Sequence, residues 1–243
     1  MIKAENLVKY YGTHLALDHI SFRIDGCGAV GLLGPNGAGK STTMNILAGN
    51  LMPSAGTVTL DGCGRRVHGA AVGYLPEIPP LYPELTVREY LDYACGLKGL
   101  PKAERPGEAA RVMEQIRLEH VADRLIRYLS KGYRQRVGIA QALIGNPAII
   151  ILDEPSIGLD PRQIIEIREI IRSLKASHTV LVSSHILSEI QAVCDRAIIL
   201  CEGRVVADDT IQALTARGKD FESVFLALTG GGVPSFGGKE DGV

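Results

Sequence analysis

The octapeptide Gly34-Pro35-Asn36-Gly37-Ala38-Gly39-Lys40-Ser41 constrains this chain more than any other feature. It matches the pattern G-x-x-x-x-G-K-[ST] in full. It follows the short apolar run Ala29 to Leu33 and opens a helically spaced stretch, Ser41 to Ala48. In the order strand, glycine loop, helix, such a loop turns its backbone N–H groups inward around phosphate oxygens, and the helix N-terminus adds positive potential. Lys40 is then the residue that reaches the β- and γ-phosphates, and the Ser41 hydroxyl the one that meets a Mg²⁺ ion.

A second element complements the first. Ala148 to Leu152 is wholly apolar, as in a strand buried on both faces of a parallel sheet, and it ends in Asp153-Glu154. A carboxylate at the C-terminal edge of such a strand is the natural second partner for Mg²⁺, which assigns Asp153. Glu154, one residue on, points differently and suits a general base that polarises an attacking water. Many strands end in acidic turns, so the pair gains its meaning from the phosphate loop.

Around these motifs the chain reads as an α/β core interrupted by helices. Strand-like runs cover Met1 to Tyr11, Leu15 to Ile24, Thr57 to Leu60 and Ala70 to Leu75, with a turn at Asp61-Gly62. Pro76, Pro79, Pro80 and Pro83 then mark a boundary. Thr86-Val87-Arg88-Glu89 fits a capping box, and helical spacing follows over Val87 to Leu97. Pro101 and Pro106-Gly107 punctuate; helical patterns resume at Ala109 to Ile116, Val121 to Tyr128 and Gly132 to Ile144, closed by Asn146-Pro147. Helices are predicted at Ile164 to Leu174 and Ile186 to Val193, and strands at Thr179 to Ser183, Ala197 to Leu200 and Arg204 to Ala207. From Thr229 the chain is glycine-rich and reads as a mobile tail; Lys219 onward carries no clear functional pattern.

Composition excludes several function classes. A formal net charge of −1 argues against bulk attraction to nucleic acid or anionic lipid. The five cysteines are scattered without a Cys-x-x-Cys pair, which fits small packing residues in a reducing compartment better than a metal or disulfide site. The charged, alternating first residues do not resemble a signal peptide. The longest uncharged stretch, Val137 to Leu152, is broken by Gln141, Gly145, Asn146 and Pro147, so no membrane span of about 20 apolar residues is expected.

Leu129-Ser130-Lys131-Gly132-Tyr133 precedes a helix and stands shortly before the Asp153-Glu154 strand. In isolation it is a capped helix start. In this position it resembles the LSGGQ signature of ABC ATPases, with Ser130 and Gly132 retained. Other landmarks follow the same order. Tyr11, before Gly12, is similar to the aromatic residue that stacks on adenine, though strand packing also explains it. Gly73-Tyr74-Leu75-Pro76-Glu77 resembles the Q-loop, Ser156-Ile157-Gly158-Leu159-Asp160 the D-loop, and Ser183-Ser184-His185 the switch histidine. The likeness covers about Met1 to Thr210. It is greatest for the ABC-2 exporter branch, including gliding-motility and multidrug export ATPase subunits.

The resemblance implies a P-loop NTPase fold of the ABC type. That means a RecA-like core with an N-terminal antiparallel β subdomain and an inserted α-helical subdomain. Residues 1–228 would form one ATPase domain, with 1–76 and 147–215 as catalytic core, 77–146 as helical subdomain, and 229–243 as tail. The nucleotide site would comprise Tyr11, the loop Gly34 to Ser41, Thr42, Asp153, Glu154, Glu77 and His185. Ser41, Asp153 and Glu77 would meet Mg²⁺, and Lys40, Glu77, Glu154 and His185 would serve hydrolysis of ATP. Ser130, Gly132 and Asp160 would act across a head-to-tail pair of ATPase chains, driving a separate transmembrane permease from the cytoplasmic face of the membrane. No nucleic-acid partner is expected, although soluble relatives that work on ribosomes or DNA are an alternative. Two departures stand out: Glu77 replaces the Q-loop glutamine, and LSKGY replaces LSGGQ.

Overall fold

The computed structural model describes residues 1–60, 72–216 and 220–230. The turn expected at Asp61-Gly62, the start of the strand expected from Ala70, Cys63 and residues 231–243 of the expected tail lie outside the described residues.

In chain order the strands are β1 (Ile2–Tyr11), β2 (His14–Ile24), β3 (Gly28–Leu33), β4 (Ala55–Leu60), β5 (Val72–Leu75), β6 (Ile149–Leu152), β7 (Thr179–Ser183), β8 (Arg196–Cys201) and β9 (Arg204–Thr210). The helices are α1 (Lys40–Leu47), α2 (Val87–Leu97), α3 (Arg105–Gln115), α4 (Lys131–Leu143), α5 (Pro161–Leu174), α6 (Leu187–Val193), α7 (Ile211–Thr215) and α8 (Phe221–Leu228). The first sheet is antiparallel, ordered β2-β1-β4. The second is ordered β5-β6-β7-β3-β8-β9, parallel except for the edge strand β9.

Strand alternation divides the interior in two. Val30, Leu32, Ile149, Ile151, Leu181, Ile198 and Leu200 face one core, shared with Met44 and Leu47 of α1 and with Leu7, Leu17 and Ile20 of the antiparallel sheet. Their neighbours Ala29, Leu33, Ile150, Leu152, Val180, Val182 and Ile199 face the other, against α2 to α6. The uninterrupted apolar run in β6 therefore has the expected cause: both faces of that strand are covered.

Inside the inserted helices, the capping box is present. Glu89 N donates to Thr86 Oγ1 at 3.2 Å and Thr86 N to Glu89 Oε2 at 2.8 Å. Two expectations need correction. Pro106-Gly107 does not interrupt the chain before α3; it lies in the first turn, where proline's missing N–H costs nothing. The stretch Val121 to Tyr128 is not a helix but two single 3₁₀ turns, Glu119–Val121 and Ile126–Tyr128. Its donors are taken elsewhere: Ile126 N bonds Leu85 O at 2.9 Å and Arg127 N bonds Pro83 O at 3.1 Å. A segment without an assigned pattern also proves ordered. In α8, Asp220 accepts from Ser223 N at 2.8 Å and Phe221 is buried in the second core.

Candidate functional site

The parallel sheet sets the site, because β3, β6 and β7 all end at one edge. Beyond Leu33 the glycine loop leads into α1. Gly39 takes φ +99° as the residue before the helix, and a Cβ there would lie 2.9 Å from Ala16 O. No side chain caps α1 and no acidic residue occupies its first turn, so its leading N–H groups remain available to an anion. Lys40 is buried and donates to Gly34 O at 2.7 Å and Pro35 O at 3.1 Å. Burial lowers its pKa, partly opposed by the carboxylates of Glu154 and Asp153.

Asp153 and Glu154 follow β6 directly, and Ser183 at the end of β7 ties them together. Its hydroxyl donates to Asp153 Oδ1 at 2.6 Å and accepts from Glu154 N at 2.8 Å. In an extended strand, consecutive side chains point to opposite faces. Glu154 escapes that rule by adopting φ +48°, which turns its carboxylate toward the same cleft. There Oε2 lies 2.8 Å from His185 Nδ1 and accepts from His185 N at 3.3 Å. The histidine ring is half exposed, whereas the Glu154 side chain is 12% exposed. From β5, Tyr74 approaches Asp153; burial and then the Asp153 charge push its phenol up to about 12, against a hydrogen bond from Asn45 of α1.

Lys40, Asp153, Glu154 and His185 open into one cleft of about 640 Å³. Its walls include Asn36, Gly37, Gly39, Lys40, Ser41 and Thr42 from the loop and α1. Asp153, Glu154, Glu77 and His185 face them, and Tyr11, half exposed at the end of β1, stands with His14 and Ala16 at the rim. Gly34, Pro35 and Ala38 shape the loop from behind without lining the cleft. The arrangement suits an elongated polyanion with an aromatic group: a π face at one end, then N–H donors and a lysine, then two carboxylates.

Besides Gly34, Pro35 and Ala38 of the loop, Ser130, Gly132 and Asp160 are not among the walls. Ser130 accepts from Tyr133 N at the start of α4, and Asp160 accepts from Arg162 N and Gln163 N at the start of α5. Gly132 lies beside the second of these, since a Cβ on it would meet Gln163 Oε1 at 2.7 Å. The two helix starts thus lie side by side, outside the walls of the cleft. A neighbouring cleft of about 490 Å³ shares Glu77 with the first; Pro79, Leu81 and Ile126 give it an apolar floor, and Arg127, Lys131 and Arg134 a cationic wall.

Residues that sequence reasoning missed are those that tie loops together. Ser183 was visible only as the start of a string ending in His185. Tyr74 was visible only as part of the string ending in Glu77, and Asn45 carries no motif at all.

The chain is similar to proteins of one family. A family model described as "ABC transporter" matches residues 17–157. The chain is 38% identical over 214 residues to the ABC transporter ATP-binding protein YxlF of Bacillus subtilis, covering 88% of this chain and 72% of that protein. It is 39% identical over 214 residues to the Nod factor export ATP-binding protein I of Ralstonia nicotianae, covering 85% of this chain and 66% of that one. The chain therefore spans about two thirds of the length of these relatives. Among solved structures, the ATP-binding cassette MJ0796, in a dimeric post-hydrolysis state with ADP and Pi, superposes with a TM-score of 0.76 at 28% identity. That match covers 87% of this chain and 99% of the other.

Proposed function

The chain belongs to the ABC transporter family, as one of its ATP-binding and ATP-hydrolysing members, and from that premise we propose that it drives a membrane exporter through a separate permease. The observation that carries the reading is the division of its chemistry. One chain assembles a cleft for ATP, yet holds Ser130, Gly132 and Asp160 outside it. A second copy placed head to tail would bring those groups to the γ-phosphate held at Lys40, so that ATP joins the pair and its hydrolysis releases it. The dimeric state of MJ0796 supports this arrangement, and the Nod factor exporter supports the direction of transport.

In the assembled site, Tyr11 stacks on the adenine and the loop N–H groups with Lys40 hold the phosphates. Glu154 takes the proton of the attacking water, and His185 keeps Glu154 and the γ-phosphate in register. The donor set fits Mg²⁺: Ser41 and Asp153 offer hard oxygens. Waters and phosphate oxygens would complete the octahedral shell that Mg²⁺ requires. Bound there with Glu77 nearby, the ion would neutralise phosphate charge. Residues 1–76 and 147–215 act as the catalytic core of an ATPase unit spanning 1–228, and 77–146 as the lobe that passes its motion to the permease through the cleft at Glu77. No helix among the described residues is long and apolar enough to cross a membrane, which fits a peripheral subunit on the cytoplasmic face.

The test is capture of tagged Glu154→Gln protein with ATP from detergent-solubilised membranes. A co-purifying protein with several membrane spans is expected. Ribosomal or DNA-bound partners instead would overturn the transport role and leave the ATPase chemistry standing.

A further inference from the structure

Outside the walls of the cleft lies a buried carboxylate that the chemistry above does not use. Glu189 of α6 is 5% exposed, and one of its oxygens serves two donors. Oε2 accepts from Ser184 Oγ at 3.2 Å and from Ser156 Oγ in a short hydrogen bond. Both serines are themselves buried. The second oxygen, Oε1, is buried with no hydrogen-bond partner. A carboxylate half satisfied inside a core is disfavoured, and a hydrophobe of the same size would do better at simple filling. What a hydrophobe could not do here is hold the two serines to one point.

The two serines belong to different loops. Ser156 begins the turn that carries Asp160: Leu159 N bonds Ser156 O at 3.2 Å, and Asp160 caps α5 immediately after. Ser184 shapes the backbone on either side of His185, because its Oγ also accepts from Ile186 N at 3.0 Å. The His185 ring, half exposed, has its side-chain contact at Glu154. Its position therefore follows from the loop beneath it, and that loop is joined to the Asp160 turn through a single oxygen atom. Neither loop shifts alone without breaking a hydrogen bond to Glu189.

We propose that Glu189 is a positioning residue for ATP hydrolysis: its Oε2 couples the 156–160 turn to the His185 loop, so that movement of Asp160 resets His185 against Glu154. This rests on the roles given to Glu154, His185 and Asp160 above. The coupling reports to the hydrolytic centre that the opposite chain has docked on Asp160.

The test uses Glu189→Leu, which keeps the volume and removes the acceptor, and Glu189→Gln, whose carbonyl oxygen still takes both serine bonds. With Glu189→Leu, kcat for ATP is expected to fall roughly tenfold or more while KM stays within about twofold and Tm is unchanged or higher, since misplacing a group costs rate without costing affinity. Glu189→Gln is expected to recover most of that loss. A Glu189→Leu protein with wild-type kcat overturns the proposal. So does one in which kcat, KM and Tm all deteriorate alike and the glutamine fails to rescue.

Should the leucine variant not fold, a double-mutant cycle of Ser156→Ala with His185→Ala decides. If the loops are coupled, the double variant is no slower than His185→Ala alone. If they are independent, the two losses multiply, and the proposal fails. Failure of the underlying site looks different: His185→Ala would itself turn over at the wild-type rate, removing the role of His185 and the coupling with it.

Discussion

In the sheet core, residues from β1, the glycine loop, the end of β6 and the end of β7 meet in one cleft. In the inserted helices, Ser130 and Gly132 are as well formed locally, at a capped helix start, yet they meet no part of that cleft. On the proposed head-to-tail pairing, Ser130 and Gly132 would act only on the cleft of a partner, and each cleft would be completed by the other chain. The difference teaches that a phosphate-binding helix start is not a site by itself; what it serves depends on which surface is brought against it.

That contrast can be broken at its strong end first. Glu154→Gln should lower turnover by roughly 10²- to 10⁴-fold in a phosphate-release assay while ATP binding by calorimetry persists. Equal loss of both would mean that Glu154 shapes the cleft and does not act on water. A complementation experiment sharpens the comparison further. Ser130→Asp places a carboxylate at the N-cap of α4, where it still caps the helix but repels a phosphate presented to it. Alone it should abolish turnover and leave ATP affinity intact; Lys40→Ala should lose affinity itself. Mixed together, the two inactive proteins should regain hydrolysis, because each mixed pair contains one undamaged composite site. No recovery would place both elements at work within one chain.

Smaller effects test the edges of each region. Tyr11→Ala should weaken ATP binding by about 0.5–1.5 kcal/mol, roughly two- to tenfold in Kd, with kcat unmoved. A fall in kcat instead would assign Tyr11 to strand packing. In the helical region, Lys98 donates to Ala142 O and Ile144 O at the end of α4, and burial drops its pKa from 10.5 to about 8. Between those values the unfolded chain holds a proton that the folded chain has released, so this group's contribution to stability rises with pH across the window. Relative to Lys98→Met, the wild-type Tm should climb by a few degrees from about pH 8 to 10.5. A flat difference would mean that Lys98 is solvated.

Much of the core was legible in the sequence because its signals are local. The apolar alternation of β6, the glycine loop before α1 and the Thr86–Glu89 box each depend on residues a few positions apart. The 121–128 stretch misled for the opposite reason: its apolar spacing is helical, but the 83–85 segment competes for its backbone donors. Ser183, Asn45 and Glu189 were out of reach, since their partners lie on other elements and no spacing rule links them. The apolar positions Phe221, Val224, Phe225 and Leu228, with Asp220 and Ser223 as cap, did carry a helical signal for α8. Glycine-rich sequence just beyond them drew the reading toward a tail.

The left-handed backbone at Glu154 has a consequence for how this protein can change. A non-glycine residue at φ +48° sacrifices on the order of 1 kcal/mol, which glycine in the same place would recover. Glu154→Gly should therefore melt no lower than wild type while losing hydrolysis. Any search that ranks variants by heat resistance alone will drift at this position toward a protein that grips ATP and never lets the phosphate go. The enzyme persists there only while turnover, and not durability, is what is being selected.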